Sequence, residues 1–244
     1  MTEYAVEVSG LTSAYGRAVA LKDISFTLEK GKIHALIGKS GCGKTTLLKN
    51  LLGLMHYRSG SVKVLGVDMD DRDAIVKERI RERTGVLFQR GALLNSMSVG
   101  ENVALPLEMH TAQPARDIEA EVRSKLGLVG LSYAYSKRPT ELSGGMVKRA
   151  ALARAMALNP EILFCDEPSA GLDPVTTKGI DELLLSLKDT FGMTVVLITH
   201  DLLSIQRIAD RLLLIREQVI AFDGPATEAA SNDHPVLREF FLKE

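Results

Sequence analysis

No stretch of this chain is long and apolar enough to cross a bilayer. The longest hydrophobic runs, Val195 to Ile198 and Leu212 to Ile215, fall far short of the roughly 20 residues that a spanning helix needs. The first residues, Met1 to Val8, alternate like a strand and carry neither the basic head nor the apolar centre of a signal peptide. Together these absences predict a chain that is itself soluble and stays in the cytoplasm. An excess of one charge is missing too. Thirty Lys and Arg stand against 31 Asp and Glu, a formal net charge of −1, so there is no global basic field and no nucleic-acid partner is expected. Cysteine is scarce. Cys42 and Cys165 are the only two, without C-x-x-C spacing, and read as reduced core residues, not as a disulfide framework or a metal site. A chain of 244 residues suits one large domain or two subdomains sharing a core.

What the chain does have is an ordered set of strand ends. Gly38 to Thr45 matches G-x-x-x-x-G-K-[ST] in full, between the apolar run Ile33 to Ile37 and the leucine-rich run Lys44 to Leu52. Strand, glycine loop and helix in that order form a phosphate cradle. The glycines let backbone N–H groups turn toward phosphate oxygens, and the helix N-terminus adds partial positive charge. Gly38, Ser40, Gly41, Cys42, Gly43, Lys44, Thr45 and Thr46 are therefore candidate nucleotide contacts. Lys44 is expected on the β and γ phosphates and the Thr45 hydroxyl on Mg²⁺.

Before the cradle, Val6 to Val8 and Ile24 to Leu28 alternate, with turns expected at Gly10, Gly16 and Gly31; this is a small antiparallel β element. Tyr15 lies on one of its turns, where it either stacks on a base or simply covers the hairpin. After the cradle come a short strand at Gly60 to Gly66, a charged helix at Arg72 to Arg83 and an apolar strand ending at Gln89.

From Gly91 to about Ala157 the pattern is helical, with Ile118, Val122 and Leu126 on one face and Pro106, Pro114 and Pro139 as punctuation. The last helix there opens at Ser143-Gly144-Gly145, an N-cap followed by two glycines. It is either a plain helix cap or a second phosphate-binding N-terminus. Lacking a lysine, such a cap contributes only neutral donors to a phosphate held mainly elsewhere, which a two-fold dimer would supply.

Glu161 to Asp166 returns to strand and ends in adjacent carboxylates. Asp166 is placed to hold Mg²⁺ through water, and Glu167 to accept a proton from the attacking water. A tight turn at Ser169 to Pro174 starts a helix whose Ile180, Leu183, Leu184 and Leu187 face the core. The buried run Thr194 to Thr199 ends at His200, and the chain closes with strands at Arg211 to Ile215 and Gln218 to Phe222, a Gly224-Pro225 turn and a tail helix near Pro235 to Phe241. Gln89, Asp166, His200 and the cradle thus fall on one carboxyl edge of a parallel sheet, the edge where such sheets bind ligands.

Over essentially the whole chain this series resembles the ATP-binding subunit of ATP-binding cassette (ABC) transporters. The resemblance implies an α/β P-loop NTPase with an N-terminal antiparallel β element and an inserted helical subdomain. The nucleotide-binding core would take 1–90 and 158–225, the helical subdomain 91–157, and a tail helix 226–244. In that family Tyr15 matches the adenine-stacking loop, Gly38 to Thr45 Walker A, Gln89 the Q-loop and a further metal contact, and Leu142 to Met146 the signature. Ile162 to Asp166 matches Walker B, Glu167 the base, Ala170 to Asp173 the D-loop and His200 the switch histidine. ATP and Mg²⁺ are the implied cofactors. A head-to-tail homodimer with Ser143, Gly144 and Gly145 closing on the partner's nucleotide, separate transmembrane permease subunits, and a place on the cytoplasmic face of the inner membrane are implied with them.

Met146 stands where the usual signature has Gln. With Phe88 to Val99 and Glu101 to Leu107, and the tail Pro235 to Phe240, it is similar to the ATPases of bacterial phospholipid trafficking, although Leu94 and Asn95 replace an expected Phe-Asp. That group implies a mammalian-cell-entry lipid-binding protein and sometimes a small cytoplasmic regulator as further partners. An importer ATPase for amino acids or other small solutes shares every catalytic motif. A soluble cassette scaffold is the reading from another class, and the chain lacks the coiled-coil, zinc or tandem features of such proteins.

Overall fold

The computed structural model describes residues 3–70, 74–228 and 234–242. The expected strand start at Met1-Thr2, the helix start at Arg72 and the tail segments 229–233 and 243–244 lie outside these. Alternation from Tyr4 onward builds a long hairpin of β1 (Tyr4–Tyr15) and β2 (Ala18–Glu29), which buries Val6, Val8, Leu11, Ile24, Phe26 and Leu28. Gly16 makes the turn, but Gly10, at φ +59, sits inside β1 beside a register shift. It is therefore a bulge and not the turn its sequence context suggested, since pairing with a neighbour carries the strand through it. After β3 (Ile33–Ile37) and α1 (Lys44–Leu51), β4 (Ser59–Val64) pairs with β1 and the short β5 (Val67–Asp68) with β4, giving the order β2-β1-β4-β5.

A second sheet is assembled from β3 with β6 (Thr84–Leu87), β7 (Ile162–Asp166), β8 (Thr194–Ile198), β9 (Arg211–Arg216) and β10 (Val219–Pro225), in the order β10-β9-β3-β8-β7-β6. Every pairing is parallel except β10 with β9. Gly224 and Pro225 lie within β10, opposite Leu212 and Arg211, which corrects the expected turn. An edge strand tolerates a proline that donates no hydrogen bond.

The period of two decides what covers each face. Ile162 and Phe164 of β7, with Val196 and Ile198 of β8, pack toward α1 and the antiparallel sheet, where Leu47, Leu48 and Leu51 meet Val6, Leu28 and Val64. Leu163, Cys165, Val195 and Leu197 face the opposite way. They meet α3 (Val99–His110), α4 (Ala115–Leu128), α5 (Gly144–Ala155) and α6 (Pro174–Phe191), which follow α2 (Ala74–Glu82) in the chain. The helical segment thus shares its core with one face of the sheet. Ile118, Val122 and Leu126 are buried as their spacing predicts. In α6 the buried stripe of Ile180, Leu184 and Leu187 also carries Asp181, which accepts hydrogen bonds from Ser204 and Arg207 of α7 (Leu202–Ile208). A third cluster joins Ala35, Ile37, Leu212 and Leu214 to Leu237 and Phe240 of α8 (Pro235–Leu242).

α5 approaches β6 so closely that a side chain at Gly85 would run into the Ala155 carbonyl. Gly85→Ala is therefore expected to destabilise the chain by about 1–3 kcal/mol. The readout is a lower urea midpoint at unchanged slope; an unchanged midpoint would mean that α5 lifts off β6 at no cost.

Candidate functional site

Parallel strands bring their carboxyl ends to one edge, and this edge opens into a cleft of about 870 Å³. Its walls include Tyr15, Gly38, Ser40, Gly41, Gly43, Lys44, Thr45, Thr46, Gln89, Asp166, Glu167 and His200. Those residues come from β1, the loop after β3, the first turn of α1, the end of β7, and the segments after β6, β7 and β8. A Cβ on Gly43, at φ +114, would stand 2.6 Å from Leu21 and 2.7 Å from the Ala20 carbonyl. Only glycine allows the chain to turn there into the first residue of α1. The Lys44 ammonium donates to the carbonyls of Gly38 and Lys39, which keeps its charge over the loop. Cys42 differs from its neighbours. It is absent from this cleft's lining and borders a second cavity of about 300 Å³ with Ile215, Arg216 and Phe240, so its side chain belongs to the packing behind the loop.

Tyr15, half exposed, sits at the cleft rim with Lys49 5.6 Å from its ring centroid. Hydrogen bonding to Thr46, then Lys49, lowers its pKa.

At the end of β7, Asp166 is half-buried and its pKa is raised, first by burial and then by the neighbouring Glu167 carboxylate, against the opposing pull of Lys44 and Lys148. Glu167 leaves the strand at φ 49, a left-handed conformation that costs a non-glycine residue roughly 1–2 kcal/mol. Its amide donates to the Ile198 carbonyl at 2.8 Å. Its Oε1 lies 2.9 Å from His200 Nδ1; an ionised carboxylate can only accept, so the ring nitrogen donates. His200 in turn precedes Asp201, whose side chain caps α7 by accepting from Leu203 and Ser204.

The donor set suits a hard divalent cation. Thr45, Asp166 and Gln89 offer hydroxyl, carboxylate and amide oxygens on one cleft, and Asp166 carries a raised pKa that a nearby cation would relieve. Among the described residues no cluster of three or more His, Cys, Asp or Glu forms a cage. Mg²⁺ needs none, because it takes most of its ligands from water and substrate phosphates.

Ser143, Gly144 and Gly145 do not join this cleft. Ser143 caps α5 by accepting from the Met146 amide at 3.3 Å, and Ser143 and Gly144 are exposed. The N-terminus of α5 is therefore not among the walls of the cleft that the cradle lines.

Three residues at the site escaped the sequence reading. Asn102, buried in α3, exchanges hydrogen bonds with Leu94 (2.7 and 3.0 Å) and also donates to Ser98, pinning the loop after Gln89. Arg154 donates to the carbonyls of Gly91 and Ala92 at 2.9 and 2.7 Å. Lys148, 5% exposed, donates to the carbonyls of Gln89 and Glu167. The signal in the sequence is a lysine on the same helical face as Ala151, Leu152 and Ala155.

The model of a family described as ABC transporter matches residues 21–170. The probable ribonucleotide transport ATP-binding protein mkl of Mycobacterium tuberculosis is 39% identical over 96% of this chain, and the chain spans 66% of that relative's length. The methionine import ATP-binding protein MetN of Campylobacter jejuni is 37% identical over 96% of this chain and 75% of its own. The intermembrane phospholipid transport system ATP-binding protein MlaF of Escherichia coli is 37% identical over 96% of this chain and 87% of its own. The fold is similar to cbiO1 of Clostridium perfringens, part of the ABC transporter complex cbiONQ, with TM-score 0.86, 28% identity, and coverage of 98% of this chain and 95% of that one. It is also similar to a dimeric ATP-binding cassette in a post-hydrolysis state bound to ADP and Pi, with TM-score 0.83, 28% identity, and coverage of 91% and 98%.

Asn102→Leu is expected to cost about 1–3 kcal/mol, because it removes the side-chain acceptor of the Leu94 amide and the side-chain donor to the Leu94 and Ser98 carbonyls. Amide exchange at Leu94 should accelerate while that of β7 and β8 is unchanged; equal exchange at Leu94 in both proteins would remove Asn102 as the anchor of this loop.

Proposed function

The chain belongs to the ABC transporter family, and from that premise we propose that it is the ATP-hydrolysing subunit of a bacterial transporter that powers phospholipid movement through a separate permease. The observation that carries the ATPase part is one cleft lined by Lys44, Thr45, Gln89, Asp166, Glu167 and His200, with the Ser143 cap outside it. In this reading the loop amides and Lys44 bind the ATP phosphates. Tyr15 stacks on the base. Thr45, Asp166 and Gln89 hold Mg²⁺, which when bound neutralises developing phosphate charge.

Glu167 takes the proton of the attacking water. His200 Nδ1–H, donating to Oε1, leaves Oε2 aimed by a fixed carboxylate plane. The absence of Ser143, Gly144 and Gly145 from the cleft supports a dimer in which each chain's cap closes on its partner's nucleotide. The similarity to a dimeric ATP-binding cassette bound to ADP and Pi supports a dimer. Among the described residues no helix is long and apolar enough to cross a membrane, so the permease would be separate chains and this one would sit at the cytoplasmic face of the inner membrane.

The phospholipid assignment rests on Met146 and the residues after Gln89, with support from MlaF. A mammalian-cell-entry protein and a small cytoplasmic regulator are the further partners it brings. The similarity to MetN supports a second reading, a small-solute importer. Mass spectrometry of the intact membrane complex, purified on a tag fused to this chain, separates them. A permease with a mammalian-cell-entry protein and phospholipid is expected; a solute permease without lipid would favour the importer.

Glu167→Gln is expected to keep ATP binding and to lower turnover at least about 100-fold, the usual scale for loss of a general base, with the dimer trapped closed. Turnover at the wild-type rate would take Glu167 out of the mechanism. Ser143→Arg should leave ATP binding to the monomer intact and prevent closure, measured by crosslinking across the two-fold; persistent closure would overturn the arrangement in trans.

A further inference from the structure

Resting on the ATPase reading above, we propose that Lys148 is a positioning residue that ties the trans-acting cap to the cis catalytic groups of its own chain, coupling the two ATP sites of the dimer. Lys148 lies five residues beyond Ser143 on α5, about 7–8 Å along the axis at 1.5 Å per residue. Its ammonium is buried and donates to the Gln89 carbonyl and, at 3.0 Å, to the Glu167 carbonyl. Those two carbonyls belong to the segments that follow β6 and β7, so a single side chain joins α5 to both.

The surroundings argue against a packing role. Ala150, Ala151 and Leu152 beside it are fully buried, and an apolar residue would fill the position without the cost of desolvating an ammonium. The cation is held by what it touches. The Glu167 carbonyl also accepts from the Ala170 amide at 3.2 Å. The left-handed turn at Glu167 is thus bonded both to the loop that follows and to α5. Six residues further along α5, Arg154 grips Gly91 and Ala92, so the turn after Gln89 is held to the helix at two points.

The consequence is directional. In the dimer the N-terminus of α5 reads the partner's nucleotide, while Lys148 on the same helix holds the Gln89 and Glu167 that act on the chain's own nucleotide. Movement of α5 as the cap engages a phosphate carries both catalytic segments with it. Closure at one site then sets the base at the other.

Lys148→Met keeps the apolar stem and removes the donor. In the full-length protein, with its permease where turnover requires it, kcat is expected to fall tenfold or more, the scale of losses from displaced catalytic groups. KM for ATP and nucleotide binding to the monomer should stay within about twofold. The Hill coefficient for ATP should drop toward 1. Lys148→Arg, which retains donors, should recover a large part of both. Unchanged kcat and Hill coefficient in Lys148→Met, beside an active wild type, would overturn the proposal; so would a loss of ATP affinity equal to the loss of turnover.

Amide exchange supplies a readout independent of hydrolysis. The Gly91 amide, bonded to the Phe88 carbonyl, and the Ala170 amide, bonded to Glu167, should exchange faster in Lys148→Met. Unchanged exchange overturns the link whatever the activity. A wild type that hydrolyses no ATP, together with faster exchange in the variant, would instead overturn the ATPase reading and keep the link.

Discussion

At the carboxyl edge of a parallel sheet the last carbonyls run out of strand partners, and a protein that places chemistry there must satisfy them by other means. Here the means are cationic and come largely from one helix. Lys148 and Arg154 of α5 take the carbonyls of Gln89, Gly91, Ala92 and Glu167, and further along the same segment Asn102 exchanges hydrogen bonds with Leu94. The cleft keeps its shape because these backbone groups are held from behind. The side chains that line the cleft are then not needed to hold its backbone in place.

This arrangement explains why α5 is built from small residues. Ala150, Ala151 and Ala153 are fully buried, and Gly85 of β6 has no side chain to keep the Ala155 carbonyl away. Close approach brings two long cationic side chains within reach of the strand ends. The same helix offers its N-terminus, capped by Ser143, on an exposed surface. A rigid rod with one end facing outward and its flank bonded to the segments that follow β6 and β7 is a mechanical connection between that surface and the cleft.

Much of this was legible in the residues themselves. The cradle, the strand ends at Gln89, Asp166 and His200, and the stripe of Ile118, Val122 and Leu126 all follow from local period and spacing. What was illegible depends on distant neighbours. Gly10 reads as a turn until β2 and β4 pair across it, and Gly224-Pro225 reads as one until β9 lies alongside. Lys148 finds its acceptors 59 and 19 residues away, and Asp181 finds Ser204 and Arg207 across 23 and 26. No window short enough to show a helical face contains both members of such a pair. Cys42 is the opposite case: the motif includes it, yet its side chain packs against the cluster that holds Leu47 and Ile215, which no loop pattern predicts.

The central position of β3 bears on how the chain is made. Its neighbours are β8 and β9, with Ile33 beside Val195 and His34 beside Arg211, so both flanks of the strand that carries the phosphate loop arrive from the last quarter of the chain. At 5–20 residues per second on the ribosome, that strand waits on the order of ten to forty seconds for partners. Throughout that interval the apolar stretch Ile33 to Ile37 lacks both of its strand neighbours. The strand at the centre of the sheet is therefore among the last to be secured.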